Sequence, residues 1–126
     1  MVSANGQIDI PKRSFSFGVR VLKLVRALPR DLAGQVVARQ LARCGTSIGA
    51  NVEEAQAAQS KADFARRMNI ARAEAKEALY WMRMVAEAGI LPKQRLGPLS
   101  KEADELIRVL TAIVKTCREN SKHEKG

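Results

Sequence analysis

With 126 residues, 46% of them apolar and only 4% aromatic, the chain is one domain, long enough to bury a core without metal or disulfide. A formal charge of +9 at pH 7 points to anionic partners, nucleic acid first. No apolar run approaches the ~18 residues of a membrane span, and the N-terminus has no hydrophobic secretory segment, so a cytoplasmic protein without membrane contact is expected.

Residues 1–11 contain Gly6 and Pro11 and no periodic pattern, which predicts a flexible N-terminal segment. A first helix is expected over about 14–28, with Phe17, Val21, Leu24 and Leu28 as its core seam and Pro29 as its stop. Asp31 is a good N-cap for a second helix over about 32–58. Its seam is Val37, Leu41, Cys44, Ile48, Val52 and Ala55, with steps of 4, 3, 4, 4 and 3. That spacing is close to the period of a helical bundle.

"SKAD" at 60–63 reads as a capping box that opens a third helix. The seam there is Phe64, Met68, Ala71, Ala75, Ala78/Leu79, Met82 and Ala86, and Gly89 is the expected C-terminal cap. "ILPKQRLGP" reads as a loop. A fourth helix is expected over about 99–120, with Leu99, Ala103, Leu106/Ile107, Leu110, Ile113/Val114 and Cys117 facing inward. Residues 121–126 form a polar tail expected to fray. Four amphipathic helices joined by short connections predict an all-α, antiparallel up-down four-helix bundle over 12–120.

Two strips flank the seam of the second helix. Ala38, Ala42, Gly45 and Gly49 make a smooth strip that lets another backbone approach closely, in spite of the ~1 kcal/mol each glycine costs in a helix. On the other flank lie Gln40, Ser47, Asn51 and Glu54, polar and short. Three specified sides imply that this helix is enclosed, either by both bundle neighbours or by a second subunit. Asn51 and Glu54 then need partners, and the third helix offers Arg67, Asn69, Arg72 and Lys76. An Arg72–Glu54 pair with Asn51 and Asn69 nearby is the expected arrangement; the alternative is that these side chains are solvated.

Little supports catalysis. The lone histidine, His123, is in the tail, and Cys44 and Cys117 are too far apart for a zinc motif and read as reduced, packed thiols. Ser47 has no histidine base near it in sequence, and Glu53 and Glu54 point to different faces. Glu54 with Glu74 or Glu77 could hold a cation, but Arg72 favours a structural ion pair. No catalytic residue, metal or cofactor is expected.

The charge is uneven. Residues 12–43 carry eight basic side chains and one acid, Asp31, for a net +7 of the +9. On the first helix Lys12, Arg13, Arg20, Lys23, Arg26 and Arg30 fall within about 140° of the wheel, opposite the seam. Arg72, Lys76 and Arg83 line a flank of the third helix. Such stripes suit phosphate contacts with RNA or DNA and carry no base-reading information; an acidic protein, or solvent alone, would satisfy the same charges.

The stretch "QLARCGTSIGANVEEAQAAQSKADFARRMNIARAEAKEALYW", residues 40–81, resembles the signature of the bacterial 23S rRNA intervening-sequence family. That family has a Q-L-x-R segment leading into S-I-x-x-N-[IV]-x-E, then a Ser-containing loop, a Phe, N-I-A and a downstream Glu. The matching residues are Gln40, Leu41, Arg43, Ser47, Ile48, Asn51, Val52, Glu54, Ser60, Phe64, Asn69, Ile70, Ala71 and Glu77. Ala55 and Ala73 stand where the family commonly has Gly, and the Trp frequent near the start of the family's first helix is absent, with Phe15 and Phe17 nearby. The resemblance covers most of residues 10–120. It implies a compact bundle without enzymatic activity that assembles into a ring-shaped homo-oligomer, a pentamer. By analogy of fold with the accessory protein of diversity-generating retroelements, it also implies nucleic acid or a reverse transcriptase as partners.

The expected protein is therefore a self-associating, non-enzymatic bundle that binds nucleic acid through basic surfaces. The alternatives are an oligomeric protein-interaction scaffold without nucleic-acid affinity and, third, a small-ligand binder or enzyme.

Overall fold

The computed structural model describes residues 9–125, and four helices account for nearly all of them: α1 (Ile10–Val25), α2 (Leu32–Gln56), α3 (Lys61–Glu87) and α4 (Lys93–Lys125). The contacts fix their directions. Gly49 lies against Ser14 and Gly45 against Val21, so α1 and α2 run oppositely. Arg43 meets Glu74 and Glu77 while Arg67 meets Asn51, which makes α2 and α3 antiparallel. Ser100 touches Met82, and Phe64 and Cys117 line one cleft, which reverses α4 against α3. The bundle is up-down-up-down, as expected, and each helix packs on its neighbours in the chain.

Local chemistry sets the helix ends. The Asp31 carboxylate accepts from Gly34 N at 2.8 Å and the Ser60 hydroxyl from Asp63 N at 3.0 Å, so both expected N-caps form. After α3, Gly89 takes φ +68°, Ile90 N donates to Val85 O and Gly89 N to Ala86 O. This pair of bonds is a Schellman motif, which needs a residue at ease in the left-handed region.

Four boundaries differ from the sequence reading. α1 begins at Ile10, because Asp9 caps it by accepting from Lys12 N and Pro11 occupies the first turn, where no N–H is needed. It ends at Val25, and the chain closes in a tight turn that still buries Leu28. The stretch expected as a loop is largely helix. Pro98 sits inside α4, and the Gln94 carbonyl it leaves without a donor lies on an exposed turn, while Leu96 and Leu99 anchor the segment in the core. At the other end α4 continues through Lys125, so the expected tail is helical over 121–125. The expected flexibility of residues 1–8 falls outside the described residues.

The seams of α1, α2 and α4 form the core as read, except that Ile107, Ile113 and Cys117 are only partly buried; on α3, Phe64 and Leu79 are also only partly buried, and Val85 replaces Ala86 as the last fully buried residue. Buried Ala71, Ala75 and Ala78 keep the middle of α3 slim, and Met68 and Met82 fill the space on either side. The small-residue strip of α2 faces α1. A Cβ on Gly45 would fall 2.6 Å from Val21 Cγ1, and one on Gly49 would sit 3.4 Å from the Ser14 backbone. At the α1–α2 corner a Cβ on Gly34 would fall 1.9 Å from the Pro29 carbonyl oxygen. The three sides of α2 are therefore met by the core, α1 and α3, with no second subunit required.

Candidate nucleic-acid interface

Because Ile10, Ser14, Phe17, Val21 and Leu24 turn inward, Lys12, Arg20, Lys23 and Arg26 are left on the outer surface of α1, and Arg30 follows in the turn. All five are exposed, and none forms an ion pair among the described residues. The sequence reading missed a sixth member. Arg95 of α4 joins Arg20 and Lys23 across a groove of about 200 Å³ floored by Leu24 and Leu99. It was missed because its segment was read as loop, which hid the side of α4 it occupies.

Arg13 behaves differently. Its guanidinium grips Glu102 with two bonds, Nη2 to Oε1 at 2.8 Å and Nε to Oε2 at 2.9 Å, and also reaches Glu105. Its side chain is only 12% exposed. The bond from Arg13 holds the Glu102 carboxyl below the usual carboxylate range in spite of partial burial, with help from the Arg13 and Arg20 charges. The same bond raises the Arg13 pKa against the opposing effect of burial. Arg13 thus closes the seam between α1 and α4 and is committed to two carboxylates.

On α3, Lys76 and Arg83 are exposed. Arg72 is half-buried and donates to Asn69 Oδ1 at 3.4 Å. The expected Glu54–Arg72 pair does not form. Antiparallel register sets Asn51 against Arg67, so Glu54 comes beside the start of α3, and Arg72 turns toward α4. Glu54 is exposed and has no ion pair among the described residues. Asn51 Nδ2 donates to the Ser47 carbonyl at 2.9 Å and to Ser47 Oγ at 3.1 Å, and Asn51 Oδ1 accepts from Arg67 at 3.5 Å. Gln40 accepts from Arg43, whose guanidinium pairs with Glu74 at 3.2 Å and with Glu77. Trp81 Nε1 donates to the same Glu77 carboxylate at 3.1 Å. The polar strip is therefore the α2–α3 joint, with Arg43 rather than Arg72 as its cation.

Beside the α1 stripe, Phe15, Val19 and Leu22 are exposed and rim a cavity of about 350 Å³ against Gly49 and Ala50 of α2. Tyr80 and Met84 form a second exposed apolar spot on α3. Cys44 and Cys117 are free, and burial pushes the Cys44 thiol up to about 11, so it stays protonated at neutral pH and is no nucleophile. No group of three or more His, Cys, Asp or Glu that could hold a metal occurs among the described residues, and none of the described helices is long and apolar enough to cross a membrane.

A family model described as 23S rRNA-intervening sequence protein matches residues 6–112. The chain belongs to that family. A solved structure from Bacteroides thetaiotaomicron VPI-5482, described as a protein with unknown function from the S23 ribosomal protein family, is similar to it at 34% identity. The match covers 84% of this chain and 98% of that one, with a TM-score of 0.79. No curated protein matches the sequence. Neither description names an enzymatic activity.

Proposed function

We propose that the chain is a non-enzymatic, self-associating bundle that binds RNA or DNA non-specifically through phosphate contacts. The observation that carries this reading is the imbalance along α1. The nearby acids Glu102 and Glu105 are taken up by Arg13, so Lys12, Arg20, Lys23, Arg26, Arg30 and Arg95 keep their charge facing solvent. Six such cations supply a phosphate-binding field, and the single exposed aromatic beside them, Phe15, is too little to stack successive bases along a strand. RNA is the first ligand to test, given the ribosomal descriptions of the family and of the Bacteroides relative. The exposed apolar groove at Phe15, Val19 and Leu22 supports self-association, with a pentameric ring as the form the family resemblance implies.

The test is fluorescence anisotropy with unrelated RNA and DNA oligonucleotides across a salt series. Affinity is expected to fall log-linearly with salt, with a slope of about −0.7 to −0.9 per phosphate neutralised, and to depend little on sequence. The variant R20Q/K23Q/R26Q/R30Q is expected to stay folded, to bind more weakly to every sequence and to show a flatter slope. The apolar groove also favours a second reading, a protein-interaction scaffold. Absence of binding at low salt would decide for that reading, in which an acidic protein occupies the basic stripe.

A further inference from the structure

A second concentration of positive charge lies where α3 meets α4, away from α1. Lys115, Arg118 and Lys122 recur on one face of α4 at steps of 3 and 4, and Arg72 stands opposite them on α3. With Val114 as apolar floor they line a cleft of about 380 Å³, and Glu119 is the one acid in its lining. None of the four cations has an ion-pair partner among the described residues. Arg72 is steadied by Asn69, and the other three are exposed. The concave shape, the semi-rigid guanidinium and the excess of three positive charges suit a phosphate group.

The position of this cleft relative to the α1–α4 groove matters more than its charge. Both are built on α4. Arg95 and Arg118 are 23 residues apart (118 − 95), about 35 Å at 1.5 Å per residue. Around the helix, Lys115, Arg118 and Lys122 point roughly 140–180° away from Arg95. A straight duplex or extended strand lying on one flank of α4 cannot reach the other.

We infer that the α3–α4 cleft is a separate phosphate-binding site and that one chain holds two nucleic-acid segments at once, bridging them. This rests on the proposed function, and the experiment separates the two. Biotinylated oligothymidylate on beads captures the protein, and a fluorescent oligothymidylate, which cannot pair with the first, reports bridging. Wild type is expected to retain the fluorescent strand. K115Q/R118Q/K122Q is expected to remain on the beads, to lose about 2 from the salt slope and to retain about tenfold less fluorescent strand. R72Q/K115Q gives the same direction of change with fewer substitutions, and circular dichroism confirms that each variant is folded. Undiminished bridging by both variants would show that bridging comes from self-association through α1 alone and would overturn the inference while leaving the proposed function standing. If wild type binds no oligothymidylate at low salt, both fall.

Discussion

Gly45 lies so close to Val21 that a Cβ there would come within 3.0 Å of three atoms of the valine side chain. Val21 is fully buried and β-branched, so it cannot swing aside. Gly45→Ala is therefore expected to destabilise by up to about 2 kcal/mol, an overpacking cost of ~1–3 offset by ~1 from helix propensity. Gly49→Ala, whose Cβ would meet backbone at an ordinary 3.4 Å, is expected to be neutral or stabilising by up to ~1 kcal/mol. Urea denaturation of the two variants side by side checks this. Equal midpoints would mean that α1 and α2 can move apart freely.

The Arg13–Glu102 fork makes stability depend on pH in a defined direction. Glu102 has a lower pKa folded than unfolded, so its contribution is complete above the unfolded value near ~4.3 and drains as pH falls through the folded one. Arg13 is shifted upward, so its half of the pair persists through the neutral range. Arg13→Ala is expected to cost about 1–3 kcal/mol at pH 7, as hydrogen bonds between charged groups do. Glu102→Gln should lose less and should flatten the stability profile below pH ~4. An Arg13→Ala protein whose acid unfolding matches that of wild type would show that the fork contributes nothing.

Ser14 is fully buried between α1 and α2, and its hydroxyl has no hydrogen-bond partner among the described residues. Removing an unsatisfied buried hydroxyl removes its desolvation cost. Ser14→Ala is expected to stabilise by about 1 kcal/mol, raising the Tm by ~3–5 °C in differential scanning calorimetry. A lower Tm would mean the hydroxyl is satisfied in solution.

Self-association through the α1 groove is testable without touching the core. Phe15 is 67% exposed and Leu22 46% exposed, so Phe15→Ser/Leu22→Ser should leave the helical content unchanged. Sedimentation velocity should find wild type at several times the 13.8 kDa chain mass and the double variant shifted toward that mass. A wild-type monomer at micromolar concentration would exclude self-association, and an unshifted double variant would place the contact elsewhere.

Much of this architecture was legible because a helical core writes itself at fixed intervals. The seam of α2 runs from Val37 to Ala55 without error, and the caps at Asp31, Ser60 and Gly89 are strong local signals. The failures share a cause: a residue's local propensity was taken as its fate. Pro11 and Pro98 read as breaks, yet one occupies a helix's first turn and the other costs only a single exposed bond while Leu96 and Leu99 hold the helix in place. Val85 takes the place given to Ala86 because the buried positions of α3, from Met68 through Met82, alternate steps of 3 and 4, and a step of 4 from Met82 to Ala86 breaks that alternation. The site was less legible than the fold. Lys12, Arg20, Lys23 and Arg26 follow from one wheel, but the withdrawal of Arg13, the Arg43–Glu77–Trp81 joint and the arrival of Arg95 depend on which helices meet, and at what register.

The joints between helices are unequal in the order of their making. Three of them bring together segments adjacent in sequence, so the loops that must close are short and their entropic cost is small. The fourth, α1 against α4, is the thinnest and is clasped by side chains 89 residues apart. On this topology it is expected to form late on the folding route, after α2 and α3 have packed. Loss of the Arg13 clasp should accordingly leave the refolding rate nearly unchanged and quicken unfolding. The seam beside the basic groove is thus also where the native protein is expected to open first.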